Sequence, residues 1–266
     1  HLGKKVRLIE KDIREPIKFD EKFDRIYNMA SPASPVDFDK IPLFIMETAS
    51  VGHKNLLENA KEMGARILFA STSEVYGDPE KHPQQEDYRG NVSCIGPRAC
   101  YDEAKRYGES LSMIYHRQYQ TQTRIVRIFN TYGPRMRLED GRVIPNFFSQ
   151  ALRKEPLTIY GDGKQTRSLC FVRDEVEGLE KLMESNETRP VNVGNPRELT
   201  ILELAQAINK MLGNSAGVVF KPLPKDDPQR RKPDITRAKE ILNWEPRISL
   251  EDGLQKTFEY FKEELK

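Results

Sequence analysis

The 266 residues are 37% hydrophobic and 32% charged, and 43 Lys+Arg against 41 Asp+Glu leave a net charge of only +2. A chain of this length buries a sizeable core, which excludes a minimal scaffold, and balanced charge excludes the one-signed field that non-specific nucleic-acid or anionic-membrane binding needs. Three cysteines without metal-ligand spacing, no run of about 18 apolar residues and no signal peptide predict a cytoplasmic-type protein with free thiols and no membrane contact.

Short apolar runs rich in β-branched residues alternate with longer segments of helical period, the pattern of an α/β fold with a doubly wound parallel sheet. Residues 6–9 (VRLI) and 25–30 (RIYNMA) are predicted strands. A helical stretch then runs to Met63 and ends at Gly64, whose permissive backbone suits a helix C-terminus. Residues 66–71 (RILFAS) form the next strand. A polar loop with Gly77, Pro79, Pro83 and Gly90 leads into a helix through Tyr101, and the strand QTRIVRIF ends at Phe129.

Beyond about residue 140 the elements shorten to a helix near 145–154, a strand LTIYG, a helix near 174–185 and a strand PVNVG. The division expected is a Rossmann-like domain over 1–140 and a small α+β lobe over 141–266, with some segments returning to the sheet. Thr200 with Glu203 three residues on forms a capping box. Leu250, Leu254, Phe258, Phe261 and Leu265 make one apolar stripe that reads as core.

Two stretches carry chemistry. In CYDEAKR, Tyr101 and Lys105 stand at i and i+4, so both lie on one helix face. A tyrosine titrates near 10, and a nearby ammonium favours its phenolate, which predicts a base usable near neutral pH. The same spacing arises by chance on many helices. The strand end ASTSEVYG narrows the choice, because ligands of an open parallel sheet bind outside the carboxyl ends of its strands, where Thr72, Ser73 and Glu74 fall. Hydroxyls and a carboxylate there suit holding a sugar hydroxyl and moving protons.

SPASP (31–35), STSEVYGDPEKHPQ (71–84), IGPRACYDEAKR (95–106), RIFNTYGPRM (127–136), DGRVIPNF (140–147), GDGKQTR (161–167) and DDPQRRKPDI (226–235) together resemble the UDP-glucuronate decarboxylase, or UDP-xylose synthase, family of extended short-chain dehydrogenase/reductases. The resemblance spans nearly the whole chain, and STSEVYGDP with CYDExKR and RKPD is far more specific than a bare YxxxK. It implies an NAD-binding domain over 1–140, a sugar-nucleotide lobe beyond it, and a homodimer paired through the first-half helices. The implied reaction converts UDP-glucuronate to UDP-xylose through a 4-keto intermediate, with NAD recycled and no metal required.

The family's roles map onto this chain residue by residue. Tyr101 matches the group that takes the proton of the sugar 4-hydroxyl as hydride leaves C4, and Lys105 matches the lysine that tunes it and holds the nicotinamide ribose. Thr72 matches the hydroxyl bonded to the reacting oxygen, while Glu74 and Arg231 match the pair implicated in decarboxylation and protonation. Ser73 stands where related 4,6-dehydratases carry Asp, which tilts the choice toward decarboxylation. The implied substrate contacts are Arg142, Arg167, Arg231, Asn130, Tyr115 and Gln118, arginine being suited to bidentate binding of phosphate or carboxylate. On the cofactor side the matches are Asp12, Ile13, Met29, Ala30, Ser31, Thr48, Ala70, Thr131, Tyr101 and Lys105.

The sequence also departs from the family. Nothing resembling its strand, G-x-x-G-x-x-G loop and helix precedes HLGKKVRLIEKDI, so the N-terminal strand-loop-helix is expected either to lie upstream of the given sequence or to have been lost from this polypeptide. Read literally, that predicts weak or no NAD binding and no turnover, and it keeps a non-catalytic binding protein open beside a 4,6-dehydratase or 4-epimerase. The family's T-N-x-x-G-T is here T-A-S-V-G-H, with His53 expected to be an exposed side chain.

Overall fold

The computed structural model describes residues 6–222 and 230–264. Four parallel strands form the central sheet in the order Arg25–Asn28, Arg66–Thr72, Gln122–Ile128 and Pro190–Val193. Alternation sends successive side chains of the second strand to opposite faces. Ile67 meets Leu56, Leu57, Ala60 and Tyr115 from helices His53–Met63 and Ala99–Tyr119. Leu68 points the other way, into a core with Val126, Leu179, Leu182, Val191 and Trp244. Helices Val172–Glu184 and Thr236–Leu242 cover that second face, so the sheet is doubly wound as expected. Its fourth strand and both of these helices come from beyond residue 140.

Residues 6–9 do not form the predicted strand. Val6, Leu8 and Ile9 are exposed, and the segment pairs with no strand among the described residues. A strand pattern without a neighbour has nowhere to place its backbone hydrogen bonds except water. The helical stretch before Gly64 is broken by Pro42 at the first turn of Pro42–Glu47, then by a π-helical turn, Thr48–Gly52, before His53–Met63 begins. Gly64 ends that helix in the left-handed conformation at φ +68°.

The remaining segments build a second core around helices Val143–Leu152, Ile201–Leu212 and Leu250–Glu264, where Phe147, Phe148, Leu204, Ile208, Leu254 and Phe261 are buried together. Three small strand pairs edge this region: Leu157–Tyr160 with Val218–Lys221, Thr166–Ser168 with Glu198–Thr200, and Thr131–Tyr132 with Cys170–Phe171. The capping box forms as predicted, with Thr200 and Glu203 bonding reciprocally across the helix start. Leu254 and Phe261 of the apolar stripe are core residues, whereas Leu265 and residues 226–229 of the DDPQRRKPDI motif lie outside the described residues.

Candidate active site

All four sheet strands end on the same edge, where a cavity of about 590 Å³ opens between the sheet and the second core. The strand Arg66–Thr72 delivers its last residue, Thr72, as the cap of a short 3₁₀ turn, Ser73–Tyr76, whose Glu74 N–H donates to Thr72 Oγ1 at 3.2 Å. Gly77 closes the turn at φ +64°. A Cβ there would stand 1.8 Å from the Asn91 carbonyl oxygen, so only glycine lets the loop double back under this strand end.

The helix Ala99–Tyr119 presents Tyr101 and Lys105 to the same cavity. Both are buried, and Lys105 Nζ lies 5.6 Å from the centre of the Tyr101 ring and 5.1 Å from that of Phe69. Its ammonium donates to the Ala70 carbonyl at 2.8 Å. Burial pulls the lysine down to about 7. Phe38 stacks on Tyr101 with ring centres 5.3 Å apart.

The shift of the phenol runs opposite to the one expected. Burial pushes Tyr101 up to about 12, a hydrogen bond with the Thr72 side chain pulls against it, and the nearby carboxylates Glu74 and Asp102 add to the rise. Spacing on a helix brings the pair together, but desolvation decides which protonation state is favoured.

A buried charge cluster lies beside the tyrosine. Arg231, 1% exposed, donates to the Ser73 carbonyl at 2.9 Å and to Glu74 Oε2 at 3.1 Å, and Arg98 reaches the same oxygen at 2.6 Å. The Ser73 hydroxyl turns to Glu74 Oε1 at 3.3 Å. Burial raises the Glu74 carboxyl, but the guanidiniums of Arg231, Arg98 and Arg167 together outweigh it and hold it below the usual range. Asp102 sits behind Arg98 at 3.7 Å and, buried near Glu74, is pushed up to about 7.

Arg98 and Asp102 were not singled out by sequence. Their signal was present as an i, i+4 acid–base pair flanking Tyr101 in PRACYD, a pattern that reads equally well as a solvated helix pair.

Of the other predicted positions, Met29, Ser31, Ala70, Asn130, Thr131, Arg142 and Arg167 line the cavity. Arg142 pairs with Asp140, and the Thr131 hydroxyl lies 3.3 Å from Glu175, a carboxyl that burial pushes well up. Met29 also borders a second, apolar groove of about 340 Å³ that contains Ile13, Ala30 and Leu56.

Four positions lie elsewhere. Asp12 is held by Arg14 at 2.7 Å, and buried Thr48 donates to the Phe44 carbonyl inside the π-helical turn. Tyr115 is buried against Glu58, to which its hydroxyl donates, and Gln118 is exposed. At 1.5 Å per residue the helix carries Tyr115 roughly 21 Å from Tyr101, beyond the reach of the cavity.

A family profile described as GDP-mannose 4,6 dehydratase matches residues 1–257. The chain belongs to this family. Within it, UDP-glucuronic acid decarboxylase 2 of Arabidopsis thaliana is 56% identical over 247 residues, covering 93% of this chain. The chain spans 55% of that relative's length. Among solved structures, the epimerase Mth375 from Methanothermobacter thermautotrophicus superposes with a TM-score of 0.89 at 30% identity, covering 100% of this chain and 81% of the other. UDP-glucuronic acid 4-epimerase from Bacillus cereus, in complex with UDP-glucuronic acid and NAD, superposes at 0.81 with 28% identity, covering 90% and 76%. These two solved structures share the fold of this chain. Among the described residues no helix is long and apolar enough to cross a membrane.

Proposed function

We propose that this chain decarboxylates UDP-glucuronate to UDP-xylose through a 4-keto sugar, using NAD that is regenerated in each turnover. One observation carries the reading: Tyr101, Lys105, Thr72, Glu74 and Arg231 share one buried cavity, with a serine rather than a carboxylic acid at position 73. The name of its relative, a UDP-glucuronic acid decarboxylase, supports the same substrate.

The residues fit a dinucleotide. Ile13, Met29 and Ala30 in the apolar groove suit a flat base, while Ser31, Ala70, Thr131 and Lys105 on the strand ends and catalytic helix suit the nicotinamide side. Bound NAD would supply a hydride acceptor for sugar C4 and return the hydride at the end. Burial leaves Tyr101 protonated at rest, so it acts once ionised: as the phenolate, beside the Thr72 hydroxyl, it receives the proton of the C4 hydroxyl. The resulting ketone lies β to the C6 carboxylate, so the electrons of the breaking C5–C6 bond pass into the carbonyl as carbon dioxide leaves. Arg98 and Arg231 hold Glu74 ionised beside this centre, where it governs the proton that returns to C5. Ser73 offers no acid to expel a hydroxide from C6, which disfavours dehydration. Arg142 and Arg167 supply positive charge for the diphosphate.

The same reading places the chain in a homodimer in a reducing, cytoplasmic compartment. Exposed Leu43, Phe44 and Met46 on the first-half helices and free Cys94, Cys100 and Cys170 support it.

Mass spectrometry of UDP-glucuronate incubated with protein and NAD tests the reaction. Formation of a UDP-pentose is expected, and Tyr101→Phe should lower its rate by roughly 10²- to 10⁴-fold while the UDP-sugar still binds. Likeness to two epimerases favours one alternative, 4-epimerisation, which would keep the substrate's mass. A product of unchanged mass would replace the proposal with that activity.

A further inference from the structure

We propose that His53 is a positioning residue: a neutral imidazole with its proton on Nε2 that ties the cofactor-side strand end, Asn28 to Ala30, to the helix bearing Tyr101 and Lys105. The inference rests on the NAD-dependent reading above.

His53 is fully buried, contrary to the exposed position expected from sequence. The π-helical turn Thr48–Gly52 directly before it shifts the phase of the helix and delivers the ring to the interior. There it stacks on Phe69 with ring centres 4.0 Å apart, while Lys105 Nζ stands 5.1 Å from the same Phe69 ring. Gly108, three residues after Lys105, brings the catalytic helix in close, since a Cβ at that position would lie 2.3 Å from the Phe69 ring.

Four hydrogen bonds form a relay, two of them made by the imidazole, and their directions can be solved. The Ser112 hydroxyl donates its one proton to the Gly108 carbonyl at 2.9 Å, so it must accept from His53 Nε2, which lies 2.8 Å away. Nε2 therefore carries the ring proton, and Nδ1 offers a lone pair to the Asn28 amide nitrogen at 3.0 Å. That orients the Asn28 side-chain oxygen to accept from the Ala30 N–H at 3.2 Å.

Each of these four contacts sets a donor against an acceptor in this one state. An imidazolium would set a ring N–H against the Asn28 amine, and flipping the amide to relieve that would set the amine against the Ala30 N–H. Burial and the nearby Lys105 charge favour the same neutral form, drawing the ring down to about 3. The relay spans the two elements that must keep register for a dinucleotide to meet the catalytic helix. Asn28 ends its strand, and Met29 after it borders both grooves.

The test combines imidazole ¹⁵N NMR with calorimetric titration of NAD and, separately, of UDP-glucuronate. The wild-type spectrum should show protonated Nε2, bare Nδ1 and no titration between pH 8 and 5. His53→Phe and the milder Ser112→Ala should each weaken NAD binding about ten-fold, the size of one or two lost hydrogen bonds, and leave the UDP-glucuronate dissociation constant unchanged. A ring protonated on Nδ1, or unchanged NAD affinity in folded Ser112→Ala, overturns the inference alone. A wild-type protein that binds no NAD overturns the functional reading and this inference with it.

Discussion

Lys105 is a stability liability that replacement by methionine should expose. Its ammonium is 3% exposed, and burial holds it near 7 against 10.5 in an unfolded chain. Because the folded value is depressed, the unfolded chain binds more protons between pH 7 and 10.5, so wild-type stability rises with pH through that window. At pH 7 the mismatch costs about 4 kcal/mol, and at pH 9.5 about 1.4 kcal/mol. Methionine keeps a similar length against Phe69 and Tyr101 but leaves the Ala70 carbonyl without its donor, a loss of roughly 2 kcal/mol. Lys105→Met should therefore be about 2 kcal/mol more stable than wild type at pH 7 and about 0.6 kcal/mol less stable at pH 9.5.

Urea unfolding of both proteins at the two pH values, without added nucleotide, measures this. The difference between the proteins cancels other groups that titrate in both. Curves that stay parallel from pH 7 to 9.5 would show that burial does not depress the lysine, and the reasoning would fail regardless of which protein is the more stable.

Two further outcomes follow from packing. Glu109 accepts from Arg127 at 2.9 and 2.7 Å and from Ser71 at 2.6 Å, and Arg127 also holds Tyr76 and the Glu86 carbonyl. Glu109→Gln strands a buried guanidinium and should cost about 3 kcal/mol in urea unfolding; a loss near zero would mean that water already reaches the pair. Gly253 faces the Tyr132 hydroxyl so closely that a Cβ would lie 2.1 Å from it, so Gly253→Ala should destabilise by about 1–3 kcal/mol despite the better helix propensity of alanine. A raised melting temperature would contradict that close approach.

Much of the architecture was legible because it is local. RILFAST and QTRIVRI are β-branched runs that pair as strands, Thr200 and Glu203 meet across one turn, and Gly64 ends a helix by adopting a conformation other residues resist. The central site was legible for a related reason. Thr72, Ser73 and Glu74 follow a strand, Tyr101 and Lys105 share a helix face, and strand ends of one parallel sheet converge by topology.

What sequence could not supply depends on neighbours distant along the chain. Residues 6–9 have strand composition but no strand beside them among the described residues, and the reach to Tyr115 is set by the straightness of a 21-residue helix. Arg98 and Asp102 look like a surface pair until the fold closes over them. The burial that pushes the Tyr101 phenol up is likewise tertiary, and so is the interior placement of His53. Sequence alone determined most strands and helices and the meeting of Thr72, Ser73, Glu74, Tyr101 and Lys105 at the crevice, because those follow from short-range sterics, periodicity and the shared edge of parallel strands. Only the tertiary structure decided the charge each group carries, because desolvation and Coulomb forces depend on every atom nearby, however far away in the chain.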